Sequence, residues 1–176
     1  MNWAALILYI SALASVCDPY GLEKDTKRKY VREIIRQAEH NHQDPYELLA
    51  IAITESSLNP SAYSHTKDVG LFQVNCKWWY KKFRYKNIKH CETEMLKPYI
   101  NISKGIYILN SFRNNYKQCR GNLAYRCYNG GQGWPRSKNK DKILNYGKKI
   151  GQRKEVLHKY YKELIETIRS EFKTRI

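Results

Sequence analysis

Asp44-Pro45-Tyr46-Glu47-Leu48-Leu49-Ala50-Ile51-Ala52-Ile53-Thr54-Glu55-Ser56-Ser57-Leu58-Asn59-Pro60 is the stretch on which the fold turns. Asp44 has a short acceptor side chain suited to capping a helix. Pro45 brings the fixed φ of a first helical position, and Glu47 stands where a capping box places its acid. Leu48, Leu49, Ile51 and Ala52 supply an apolar face. Asn59-Pro60 predicts the end, because a residue before proline is pushed out of the helical region. Glu55 is out of place on this helix. It follows Leu48 by seven residues, Ile51 by four and Ala52 by three, which sets it on the inward face. It also falls in the last turn, where the carbonyl ends disfavour a carboxylate by about 0.3–1 kcal/mol before any burial. Burial pushes the same way, so the carboxyl group is expected to keep its proton toward neutral pH, as a general acid requires. A slight rotation of the helix would instead leave Glu55 solvated, and helix geometry does not choose between the two.

Outward from this stretch, helical spacing dominates and convincing strand alternation is scarce. A helix is expected from about Asp25 to about His40, with Tyr30, Val31, Ile34, Ile35 and Ala38 inward. After a loop rich in Ser, Asn and Thr, Asp68-Val69-Gly70 leads into an expected short helix through Leu71, Phe72 and Val74. Another covers about Asn101 to Tyr116, with Ile102, Ile106, Leu109 and Phe112 at helical spacing. Asn129-Gly130-Gly131 and Trp134-Pro135 read as loop, and Lys142 to Ile150 as helix. Leu157, Tyr161, Leu164, Ile165, Ile168 and Phe172 then form an apolar stripe at periods of three and four. This basic amphipathic segment reads as a helix capping the domain, with a membrane-surface role as the alternative.

The chain has 176 residues, one domain's worth with short extensions, and enough to bury a sizeable core. With 42% hydrophobic and 27% charged residues it is neither disordered nor a polytopic membrane protein. There are no repeats, low-complexity stretches or Gly/Ser linkers. The net charge of +16 is uneven: through residue 76 there are 7 basic and 9 acidic residues, and beyond it 25 and 7. The second part attracts a polyanion, whether nucleic acid, anionic membrane or acidic cell wall, and charge alone does not choose.

Residues 1–16 carry no charged side chain and are too few to span a bilayer comfortably. They read as a secretory signal with an A-x-A site at Ala12-Leu13-Ala14, although no Lys or Arg precedes the apolar run. An uncleaved anchor is the second reading, and Val16 is bulky for a lipid-modified Cys17. Export favours disulfides among Cys17, Cys76, Cys91, Cys119 and Cys127. Five is odd, so at least one thiol is free, lipidated or paired between chains. The other reading leaves some cysteines reduced and buried. His40, His42, His65, His90 and His158 show no paired ligand spacing, so neither metal nor cofactor is expected.

Glu55-Ser56 is followed in order by Gly70-Leu71-Phe72-Gln73, Asn101-Ile102-Ser103-Lys104-Gly105, Cys127-Tyr128-Asn129-Gly130-Gly131 and Tyr146. This order resembles the soluble lytic transglycosylase family, in particular its small exported, secretion-system and phage-associated members. That family carries an E-S motif, G-L-M-Q or G-L-F-Q, an N-I-x-x-G helix, A-Y-N-A-G and a late tyrosine. The resemblance covers about Asp25 to Ile150. It implies a mostly α, lysozyme-like domain with a substrate groove, here residues 17–153, followed by the basic helix of residues 154–176. It implies Glu55 as the single catalytic acid/base, with the Tyr146 hydroxyl directed to it. Ser56, Gly70, Phe72, Gln73, Tyr128 and Asn129 would be the substrate-binding set. Two departures stand out. Cys127 and Gly130 replace the alanines of A-Y-N-A-G, putting an oxidisable thiol beside the site, and Asp68 stands where many members have a small residue.

Most glycosidases use two carboxyl groups. The family resemblance implies one. Glu55 would protonate the glycosidic oxygen between N-acetylmuramic acid and N-acetylglucosamine, and the N-acetyl group would steady the positive charge. Glu55 would then take the C6 hydroxyl proton as that oxygen closes onto C1. The related goose-type lysozymes have an acid in G-L-M-Q-V-D where this chain has Asn75, which favours intramolecular transfer, while Asp68 leaves hydrolysis by a muramidase open. The remaining rival is a non-catalytic wall- or nucleic-acid-binding component, although no DNA-reading motif is present. Trp78-Trp79-Tyr80 and Phe83-Arg84-Tyr85 read as core plus amphipathic rim, or as a stacking surface for sugars or bases. Trp134 reads equally as a ligand contact or as packing. The implied partners are peptidoglycan glycan strands and a secretion-system or virion assembly, with nucleic acid disfavoured and membrane contact only through residues 1–16. The implied location is exported: periplasm or envelope, virion or secreted.

Overall fold

The computed structural model describes residues 24–173, with side chains described from 26 to 160. The apolar segment of residues 1–16, Cys17 and the stripe side chains from Tyr161 to Phe172 lie outside the described residues. No helix in the described part is long and apolar enough to cross a membrane.

Helix α1 (Lys24–His40) buries Val31, Ile34, Ile35 and Ala38 against α2 (Pro45–Ser56). Helix α2 is the central element. Tyr46 through Ala52 are all buried, so its first two turns are enclosed on every side. Asp44 caps it by accepting from Tyr46 N–H at 2.9 Å. Glu47 does not close a capping box. It is 4% exposed and its carboxylate takes a hydrogen bond from Arg113 at 2.7 Å. The helix ends at Ser56, before Asn59-Pro60, because Ser57 and Leu58 take left-handed backbone at φ 51° and 63°. That conformation costs roughly 1–2 kcal/mol at Leu58; its side chain is fully buried, and such burial returns about 2 kcal/mol.

The expected short helix through Leu71, Phe72 and Val74 is instead a hairpin. Strands β1 (Asp68–Val69) and β2 (Val74–Asn75) pair antiparallel, Asp68 opposite Asn75 and Val69 opposite Val74. A buried side chain from another element replaces the helical ladder. Asn101 accepts from Phe72 N–H at 2.7 Å and donates to Val69 O at 2.7 Å and Met95 O at 2.9 Å. The turn between the strands needs Gly70, at φ 76°, because a Cβ there would lie 2.4 Å from Asn101 Nδ2.

Helices α3 (Cys76–Trp79) and α4 (Ile88–Met95) are joined by a Cys76–Cys91 disulfide. Helix α5 (Pro98–Asn115) crosses beneath the hairpin and packs on α6 (Ala124–Gly130). The sequence reading had no α6, and placed its last residues in a loop. Helix α7 (Lys140–Lys173) runs without interruption through the two segments read separately, and packs on α2 and α6. A second cluster of Cys119, Cys127, Trp134 and Ile143 closes the far side, with Cys119 and Cys127 bridged. The described residues are therefore mostly helical, as expected.

Candidate active site

Glu55 lies in the last turn of α2 and is half-buried. Tyr146, on α7, donates its hydroxyl to Glu55 Oε1 at 2.5 Å. Burial pushes the Glu55 carboxyl group up from 4.5 to about 7; the Tyr146 hydrogen bond pulls it down, and the negative charge of Asp68 adds to the rise. At neutral pH the group is thus divided between acid and base forms. Tyr146 and Tyr128 are both held well above the ordinary tyrosine value, first by burial and then by the Glu55 charge, so both stay neutral hydroxyls. Tyr128 donates to Phe72 O at 2.8 Å, tying α6 to the Gly70–Gln73 turn.

A cleft of about 510 Å³ adjoins the acid. Asp68, Gln73, Asn75 and Trp78 line it from the hairpin and α3, and Tyr128 to Gly133 from the end of α6. Glu55 and Tyr146 do not line it themselves; Asp68 and Tyr128 do, and both are coupled electrostatically to Glu55. Gln73, at φ 46°, spends its amide nitrogen on Ala62 O and Gly70 O, at 3.2 and 3.0 Å. Its amide oxygen is what it offers a ligand. Asp68 accepts from Ser64 at 2.7 Å, from Thr66, and from Asn75 at 2.6 Å. Both its oxygens are therefore engaged within the hairpin.

The sequence-read residues divide into two groups. Gln73, Tyr128 and Asn129 line the cleft, and Glu55 and Tyr146 form a hydrogen-bonded pair coupled to it through Tyr128. Ser56, Gly70 and Phe72 lie behind them. Ser56 is 5% exposed and donates to Leu71 O at 2.9 Å and Ala52 O at 3.1 Å, which locks the end of α2 to the turn. Phe72 is fully buried, so its backbone, not its ring, faces the site's hydrogen bonding. Cys127 carries no thiol, since it is bridged to Cys119. Trp134 is 7% exposed, under Arg126 at 5.1 Å, and is packing. Trp79 packs on Phe83, Tyr107 and Phe112 while also lining the cleft.

Two further residues contribute. Asn101, which opens the Asn101-Ile102-Ser103-Lys104-Gly105 motif, shapes the turn. Arg153 donates to Thr54, beside Glu55, at 2.5 Å. It follows Tyr146 by seven residues, on the same face of α7, and that spacing was the available clue. Among the described residues no group of three or more His, Cys, Asp or Glu is arranged to hold a metal ion. Residues 32–150 match the family model described as the transglycosylase SLT domain. No curated protein matches the chain.

Proposed function

The chain belongs to the transglycosylase SLT family, and on that footing we propose that it cuts the β-1,4 bond between N-acetylmuramic acid and N-acetylglucosamine in peptidoglycan, leaving 1,6-anhydro ends. The family is one of lytic transglycosylases acting on peptidoglycan. The finer reading rests chiefly on one observation: a half-buried carboxyl group, raised by desolvation to about 7 and hydrogen-bonded by a neutral tyrosine, beside an open cleft.

Protonated Glu55 gives its proton to the glycosidic oxygen, and the C1–O4 bond breaks with the electron pair leaving on O4. The acetamido oxygen of the muramic acid bonds to the electron-poor C1. The carboxylate now on Glu55 takes the proton of the C6 hydroxyl, O6 attacks C1, and the acetamido oxygen departs with the pair it had lent. Glu55 ends protonated and no water is consumed. Tyr146 holds the carboxyl group in place through both proton transfers. A muramidase would need a second group to activate water. Asp68 stands in the cleft for that part, but the hydrogen bonds it accepts from Ser64, Thr66 and Asn75 occupy both oxygens. This favours transfer over hydrolysis. Mass spectrometry of peptidoglycan digested by the purified protein decides. Anhydro-muramyl ends are expected, and reducing ends alone would assign the muramidase reaction.

We also propose that the protein works after export, in periplasm, envelope or medium. Two disulfides among the described residues support an oxidising compartment, as do the apolar residues 1–16.

A further inference from the structure

Between two bridged cysteines the chain reads Cys76-Lys77-Trp78-Trp79-Tyr80-Lys81-Lys82-Phe83-Arg84-Tyr85-Lys86-Asn87-Ile88-Lys89-His90-Cys91. This loop holds six cations and no acid. Its rings and its charges lie on different sides. Trp79, Tyr80, Phe83 and Tyr85 pack against the core, with Trp79 stacked on Phe83 at 5.7 Å and Tyr85 edge-on to Phe83 at 6.2 Å. Lys77, Lys81, Lys82, Arg84, Lys86 and Lys89 are all exposed. Packed rings beneath and a disulfide across the ends hold these charges on the outer side of a braced loop.

Like charges this dense repel one another, and acids threaded among them would relieve the repulsion. Among the described residues none of the six forms an ion pair. The acids of α4 are engaged elsewhere. Glu92 is buried and accepts from the Tyr63 hydroxyl at 2.8 Å, and Glu94 is paired with Lys97 at 2.6 Å. The repulsion is therefore braced against, not neutralised, and the fitting counter-charge is external. Five of the six cations are lysines, point charges on flexible stems, where a seat for a single anion favours rigid arginine forks. Trp78 is 74% exposed, and Tyr107, whose ring meets Phe83 at 5.7 Å, is 44% exposed. Amphipathic rings beside lysines suit the headgroup level of a bilayer, where the ring sits in the interface and the ammonium reaches phosphate. A single-stranded nucleic acid stacks successive bases on open ring faces, and here Trp79 and Phe83 already cover each other.

We infer that the loop closed by Cys76 and Cys91 is a docking surface for a membrane rich in anionic phospholipid, with its lysines against headgroup phosphates and with Trp78 and Tyr107 in the interface. Asn75, Trp78 and Trp79 also line the cleft, so docking sets the rim of the cleft close to the bilayer.

The test is cosedimentation of the full chain with vesicles of phosphatidylcholine containing phosphatidylglycerol, against vesicles of phosphatidylcholine alone. The wild type binds the anionic vesicles, and binding weakens as salt rises. Lys82→Glu, Lys86→Glu and Lys89→Glu, combined in one protein, alter exposed side chains only and weaken binding roughly tenfold or more. Lys138→Glu, Lys142→Glu and Lys149→Glu make the same charge change at exposed sites outside the loop and weaken it less than about threefold. Residues 1–16 are common to all three proteins, so any contribution from them cancels. Both variants release muropeptides from membrane-free peptidoglycan at the wild-type rate. If the wild type ignores anionic vesicles, if the loop variant binds them as the wild type does, or if the two variants lose equally, the docking surface is refuted. A loss of activity on membrane-free peptidoglycan in the loop variant, with vesicle binding kept, would assign the charges to the wall. A preference for a single-stranded oligonucleotide over vesicles would assign them to nucleic acid. Either overturns the inference and leaves the proposed cleavage to its own assay.

Discussion

At Glu55, location and chemistry are the same fact. A carboxyl group that keeps its proton more tightly folded than unfolded weakens folding as pH climbs. The unfolded chain releases the proton near 4.5 and the folded one near 7, so the penalty grows across that window and is complete above it. Glu55→Gln removes the penalty. It should abolish muropeptide release while raising stability by up to about 3 kcal/mol above neutral pH. Thermal unfolding of both proteins across the window checks this, and parallel curves would show that Glu55 ionises as in water. In the proposed reaction the acid form makes the first transfer, so activity should fall as pH rises through about 7. Tyr146→Phe deletes the one hydrogen bond that pulls this value down, so the alkaline limb should move to higher pH. Turnover should drop roughly ten- to a hundredfold, with a smaller change in stability. An unmoved limb would reduce Tyr146 to packing.

At the level of elements, the sequence disclosed what was governed locally. Helix α1, the capped start of α2 and the body of α5 obey their own spacing and capping residues, and they lie where those signals put them. The hairpin was hidden because its peptide groups are satisfied by Asn101, far along the chain. Helix α6 was hidden behind its glycines. Gly130 is helical, and a Cβ there would lie 2.4 Å from Ile143 Cδ1, while Gly131 at φ 71° ends the helix. Both demands come from tertiary neighbours, which no window of sequence contains. The same division holds at the site. Position on a helix face made Glu55 a candidate without deciding whether it points inward or into solvent, and Tyr146 was legible only through the family's motif order. Trp78 was read two ways, because exposure is a property of the fold. Asn101→Ala tests the long-range tie. It strips partners from one buried N–H and two carbonyls and should cost about 2–4 kcal/mol, read from denaturant unfolding. A loss under about 0.5 kcal/mol would mean the turn holds itself.

Across the whole molecule, each side of the cleft has a bridge beside it: Cys76–Cys91 next to Asn75 and Trp78, and Cys119–Cys127 next to Tyr128. The four described cysteines should resist alkylation until reduced, as a mass shift will count. Reduction should cost roughly 3 kcal/mol for a loop of about 15 residues, seen as a lower melting temperature, and activity should fall with it. Labelling of these cysteines without reductant would break the assignment.

One missing carbon governs how these parts meet. A Cβ on Gly105 of α5 would lie 2.5 Å from the Phe72 ring, and Phe72 passes its carbonyl to Tyr128 and its peptide to Gln73. Helix α5 is thus a bed planed flat at a single spot so that the edge bearing the Gly70–Gln73 turn can settle to its height. Gly105→Ala improves that helix's own propensity, yet it acts as a shim. Muropeptide release should fall further than the melting temperature does, and equal losses would show the fit there to be slack.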